Sequence, residues 1–127
     1  MTSVIFVSVD TVSIDEDKNE AASMKELLES ELVAAGDDDW KIVIGHFPCH
    51  SGGGYSGIAS TQDQVEPILN AQNVDFYLSG HDHNLQHWST RDNPSAVDHI
   101  VTGISRSLLK KTLNFVSVFR SRGEEGL

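Results

Sequence analysis

Trp40-Lys41-Ile42-Val43-Ile44-Gly45-His46 and Val74-Asp75-Phe76-Tyr77-Leu78-Ser79-Gly80-His81-Asp82-His83 are the two stretches on which the fold turns. Each is a short run of β-branched, aliphatic and aromatic residues, the composition of a buried strand, and each stops at a glycine followed by histidine. Between them Pro48, Gly52, Gly53, Gly54 and Gly57 interrupt regular structure and predict a loop. From Ser60 or Thr61 to about Asn73, the spacing of Val65, Ile68 and Leu69 predicts a helix, in which Pro67 either makes a kink or marks a first turn.

Outward from this centre the alternation continues. Val4 to Val9 reads as another buried strand, ending at Asp10-Thr11. Ile14 to Glu20 is acidic and is expected as loop. Ser23 with Glu26 three residues on matches a capping box, and Met24, Leu27, Leu28, Leu32 and Ala35 recur at helical spacing before Gly36. Leu85 to Ser89 and His99 to Thr102 predict two further short strands, divided by the turn-rich Arg91-Asp92-Asn93-Pro94. Strands alternating with helices imply an α/β layer architecture with a later antiparallel or mixed portion.

Composition is that of a globular domain: 127 residues, 39% hydrophobic and 22% charged. The net charge of −10 disfavours nucleic acid and anionic membranes as partners, since both demand cationic surface. That charge is uneven. Residues 1 to 103 hold 4 Lys/Arg against 17 Asp/Glu, and residues 104 to 127 hold 5 against 2. No apolar run approaches the length of a bilayer crossing, and the first ten residues lack a basic segment and a cleavage site of the signal-peptide kind. Cys49 is the single cysteine, so no intrachain disulfide forms; it is expected as a small buried apolar residue.

Three of the six histidines, His46, His81 and His83, directly follow strands, where open α/β sheets place ligand sites. Imidazole suits zinc, iron and copper, and two histidines two apart on one loop can face one ion or two adjacent ones. His87 and His99 are expected as surface or strand histidines, and His50 as the same unless it reaches substrate from its loop. Gly52-Gly53-Gly54 is expected as a flexible loop and Asp37-Asp38-Asp39 as a solvated turn.

Val43-Ile44-Gly45-His46 and Gly80-His81-Asp82-His83 together, each after an apolar strand and 35 residues apart, resemble the last two signature motifs of the calcineurin-like metallophosphoesterases. The stretches Lys41 to Pro48 and Tyr77 to Gln86 look like the purple (tartrate-resistant) acid phosphatases in particular, and the resemblance runs over roughly residues 4 to 103. It implies the C-terminal part of a four-layer α/β/β/α sandwich whose N-terminal half is absent from this chain, with residues 104 to 127 as a divergent basic tail. It also implies hydrolysis of phosphate monoesters by a hydroxide activated at a binuclear centre, Fe(III) beside a divalent Fe, Zn or Mn. Position by position, His46 and His81 would bind the divalent ion and His83 the ferric one. Asp82 and Asn84 would orient these ligands or shape their turn; Gly54-Tyr55-Ser56 stands where many relatives have Glu-His-Gly, so Tyr55 would touch substrate, and His50 is close enough in sequence to that loop to do so as well. The family is commonly secreted or lysosomal, which leaves the compartment of this chain open.

The family's G-D-x-G, G-D-x-x-Y and G-N-H-D/E motifs do not occur here, and the last of these holds its catalytic histidine. Asp10 lacks the glycines of the first and aligns with a position that binds no metal. Three imidazoles without a bridging carboxylate leave two cations about 3.5 Å apart uncompensated, so the chain by itself is expected to be a poor phosphatase, completed by the missing half of the domain. The alternative is an inactive metal-binding or regulatory module.

Overall fold

In a computed structural model, residues 3–37, 39–53, 58–89 and 97–103 are described. They form β1 (Val4–Ser8), α1 (Thr11–Glu16), α2 (Lys18–Ala34), β2 (Trp40–Ile44), α3 (Ala59–Gln64), α4 (Glu66–Ala71), β3 (Phe76–Ser79), β4 (Leu85–Trp88) and β5 (Asp98–Thr102). The strands make one sheet in the order β1-β2-β3-β5-β4. Neighbours are parallel except β4, which runs antiparallel to β5 along the edge. The expected α/β class with a late mixed portion is what forms. The chain after Gly103, read above as a basic tail, lies outside the described residues.

Two corrections concern helices. The acidic stretch expected as loop is helical on both sides of Asp17, because aspartates supply the missing caps. Asp10 Oδ1 accepts from the amides of Val12 and Ser13 at 3.0 and 3.1 Å, and Asp17 Oδ1 accepts from Asn19 and Glu20 at 2.8 and 3.4 Å. Each satisfies first-turn N–H groups that have no intrahelical partner. The true start of α2 is therefore Lys18, and Ser23 and Glu26 sit inside it. Its buried stripe is Ala21, Leu28 and Leu32 with Met24 partly covered, while Leu27 falls on the flank and is exposed. The helix expected from residue 61 to 73 is two short helices meeting at Val65, with Pro67 in the first turn of α4, where its missing N–H costs nothing.

Period-two alternation gives the sheet two unlike faces. Val43, Tyr77, Ser79, His99 and Val101 face the helices and are buried, and with Leu28, Leu32, Val65, Leu69 and Val74 they make the core. Lys41 shares that face, its ammonium donating to the Gln72 carbonyl at 3.1 Å. The opposite face carries Val4, Phe6, Trp40, Ile42, Ile44, Phe76, Leu78 and Ile100, partly or fully exposed among the described residues, with Trp40 and Phe76 stacked at 6.2 Å. An α layer and a β layer are thus present, half of an α/β/β/α stack.

Candidate metal centre

The site is assembled where β1, β2 and β3 end. The parallel ladder runs past the strand ends: Gly45 N–H donates to the Leu78 carbonyl at 3.0 Å, and Gly80 N–H to the His46 carbonyl at 3.0 Å. These two bonds bring the Gly-His turns side by side. Below them Thr11, fully buried, accepts through its hydroxyl from the amides of His46 and Phe47 at 3.1 and 2.8 Å, and the Tyr77 hydroxyl donates to the Phe47 carbonyl at 2.6 Å. Burial pushes the Tyr77 hydroxyl's pKa well up, so it stays protonated and keeps donating. Gly45 is required by space: a Cβ there would run into the Tyr77 hydroxyl and lie 2.8 Å from the Thr11 methyl.

His46 Nε2 and His81 Nδ1 lie 3.3 Å apart, with ring centroids at 5.2 Å. His81 reaches this position with φ at 62°, a left-handed backbone rarely held by a residue with a side chain. The histidine itself therefore makes the turn, the kind of strain that concentrates at functional sites. Nitrogen ligands on a tetrahedral ion with bonds of about 2.0–2.1 Å sit roughly 3.3 Å from one another, so this pair fits one divalent ion. His83 is exposed, two residues further along the loop.

Asp82, between the two histidines, is buried and accepts a hydrogen bond from the Ser51 hydroxyl. Asn84 Oδ1 accepts from Gln86 Nε2 at 2.6 Å, and the same nitrogen donates to Ser51 Oγ at 2.8 Å. Asp82 directly, and Asn84 through Gln86, thereby tie the histidine loop to the glycine loop. The amides of Gly52 and Gly53 are engaged with Gln86 Oε1 at 2.7 Å and Ser51 Oγ at 3.1 Å, so they are not a phosphate cradle in this arrangement. Tyr55 lies outside the described residues. Asp10 is a helix cap, and hydrogen bonds from the Ser13 amide and hydroxyl hold its carboxyl below the ordinary value of 3.8. Cys49 is buried, and burial with the charge of Glu66 raises its thiol far above the reactive range.

His50 belongs to a second cluster of polar side chains. Its Nε2 lies 2.6 Å from Glu66 Oε1, which is in turn 3.4 Å from Nε2 of His99. Among the described residues, His50, Glu66 and His99 are the one group of three whose ligand atoms all fall within 4.8 Å. Sequence reasoning missed Glu66, since a glutamate opening a helix carries no local mark. His99 did carry one, being the same parity as Val101 on a buried strand.

Strand-end histidines are thus paired at the C-terminal rim of a largely parallel sheet with helices on one side, an α/β arrangement. The chain belongs to the calcineurin-like phosphoesterase family, whose model matches residues 5–85. It is 34% identical to purple acid phosphatase 17 of Arabidopsis thaliana over 79 residues, 62% of this chain and 23% of that protein. It is 32% identical to tartrate-resistant acid phosphatase type 5 of Homo sapiens over 71 residues, 56% of this chain and 21% of that one. The solved structure of GAP50, the anchor in the inner membrane complex of Plasmodium, matches with a TM-score of 0.69 at 28% identity, over 79% of this chain and 32% of that chain. The matches thus span about a fifth to a third of the relatives' length.

Proposed function

We propose that this chain serves in the metal-dependent hydrolysis of phosphate monoesters, as the metal-binding C-terminal part of a purple acid phosphatase type domain. The observation that carries the reading is the 3.3 Å approach of His46 Nε2 to His81 Nδ1 at the rim of the sheet, in a chain of this family. In this reading His46 and His81 hold a divalent Fe, Zn or Mn, and His83 contributes to the neighbouring ferric ion. When bound, the ions supply an activated hydroxide and positive charge for the phosphoryl oxygens. The chain's own residues hold the geometry. Thr11 and Tyr77 fix the backbone that carries His46, and Asp82 and Asn84 fasten the loop of His81 and His83.

The carboxylate bridge and the catalytic histidine come, in this proposal, from the N-terminal half of the same domain, which also covers the apolar outer face of the sheet. The test is hydrolysis of para-nitrophenyl phosphate with added iron and zinc, by this chain and by the chain fused to a family segment bearing the three absent motifs. Turnover is expected in the fusion alone, falling roughly a hundredfold or more with His46→Ala or His81→Ala. Turnover by the short chain would overturn its incompleteness, and a folded, metal-loaded fusion without turnover would leave the regulatory module as the reading.

A further inference from the structure

We propose that His50, Glu66 and His99 form a second divalent-cation site, of the zinc class, on the helix side of the sheet and apart from the His46–His81 pair. The three residues come from three places: the loop after β2, the first turn of α4, and β5. They offer one ligand atom each within 4.8 Å of one another. Two imidazole nitrogens and one carboxylate oxygen are the donor set of three-ligand zinc sites, which keep a fourth position for water or another ligand. Magnesium and calcium, which demand oxygen ligands, are poorly served by it.

His99 is the second line of argument. It is 3% exposed, on a sheet face it shares with Val43, Tyr77, Ser79 and Val101, and its Nδ1 has no hydrogen-bond partner among the described residues. Burying an imidazole with an unsatisfied nitrogen is costly, and an apolar residue would fill this place at lower cost. A cation held at Nε2, the nitrogen that faces Glu66 at 3.4 Å, would give the buried ring a partner the apolar core does not supply, because a neutral imidazole is a good ligand where it is a poor core residue. Burial, with His50 beside it, holds the His99 pKa at about 4, so the ring is neutral and its lone pair free to coordinate at neutral pH.

Ion entry is a local exchange. The cation takes the place of the hydrogen bond in the 2.6 Å contact between His50 and Glu66, and the proton of that bond passes to solvent. Neither the missing domain half nor the ferric ion takes part, so this site stands or falls separately from the phosphatase reading.

The experiment uses the full 127-residue chain with His46, His81 and His83 all replaced by alanine, so that remaining binding reports this cluster. Zinc is titrated by equilibrium dialysis, and cobalt(II) is followed by its visible d–d absorption. One equivalent of each is expected to bind with tetrahedral-type cobalt absorption, and adding Glu66→Gln or His50→Ala should weaken binding about tenfold or more. Because His99 is buried, these two substitutions, one isosteric and one in a loop, carry the test, with far-UV circular dichroism checking the fold. Absence of stoichiometric binding in the folded triple variant, or binding indifferent to both substitutions, would overturn the proposal.

Discussion

At the scale of the residue, Thr11 shows how a buried hydroxyl can decide where a strand-end histidine goes. Its hydroxyl oxygen accepts from the amides of His46 and Phe47, and no part of it is exposed. Replacing it by valine keeps the volume and removes the acceptor, leaving two amides at the turn without a partner. Thr11→Val is therefore expected to lose about 1–3 kcal/mol of stability in urea unfolding, and to weaken zinc binding at His46 and His81 when the Glu66 cluster is disabled. Thr11→Ser, which restores the oxygen, should recover most of both; a valine variant as stable as the parent would refute this account of the turn. Position in sequence made the two Gly-His turns legible, because a strand end followed by glycine is a local pattern. Thr11 was not legible, since its role exists only once residues 35 apart are neighbours. Glu66 failed to stand out for the same reason.

At the scale of the element, α2 depends on Asp17, whose carboxylate accepts from the second and third amides of the helix. Asp17→Ala should cost about 0.5–2 kcal/mol, read as a lowered thermal midpoint, whereas Ser23→Ala, at the capping box read from the sequence, should cost little because Ser23 lies inside the helix and is exposed. Equal losses for the two would contradict the observed start. The strands were readable to within a residue or two because each apolar run is bounded by breakers on both sides. The helix start was not, because Ser-x-x-Glu occurs inside helices as readily as at their ends, and the acidic residues before it look like loop until Asp10 and Asp17 are seen to cap. Sheet order was also beyond reach: nothing local says that β5 inserts between β3 and β4, leaving β4 as the antiparallel edge.

At the scale of the whole molecule, the unlike faces of the sheet matter most. Core side chains and helices close one face, while Phe6 at 64% exposure, Val4 at 51% and Ile44 at 39% stand on the other. A contiguous apolar surface of this kind is uncommon on a soluble monomer and marks a place where something packs. The occupant proposed is the N-terminal half of the same domain, since the relatives are several times longer than the stretch they share with this chain. Two consequences can be measured on the isolated chain. It should bind the dye ANS and associate as its concentration rises in sedimentation experiments, and Phe6→Ser with Ile44→Thr should diminish both without altering far-UV circular dichroism. In the fusion to the family's N-terminal half, the same face should be buried, so ANS binding should fall to the background of a folded protein. There Phe6→Ser should become destabilising by about 1.5–3 kcal/mol, the loss expected for a core aromatic that no longer packs. If Phe6→Ser stayed neutral in a folded, active fusion, the outer face would belong to some other partner, and the completion of this sheet by its own domain would have to be abandoned.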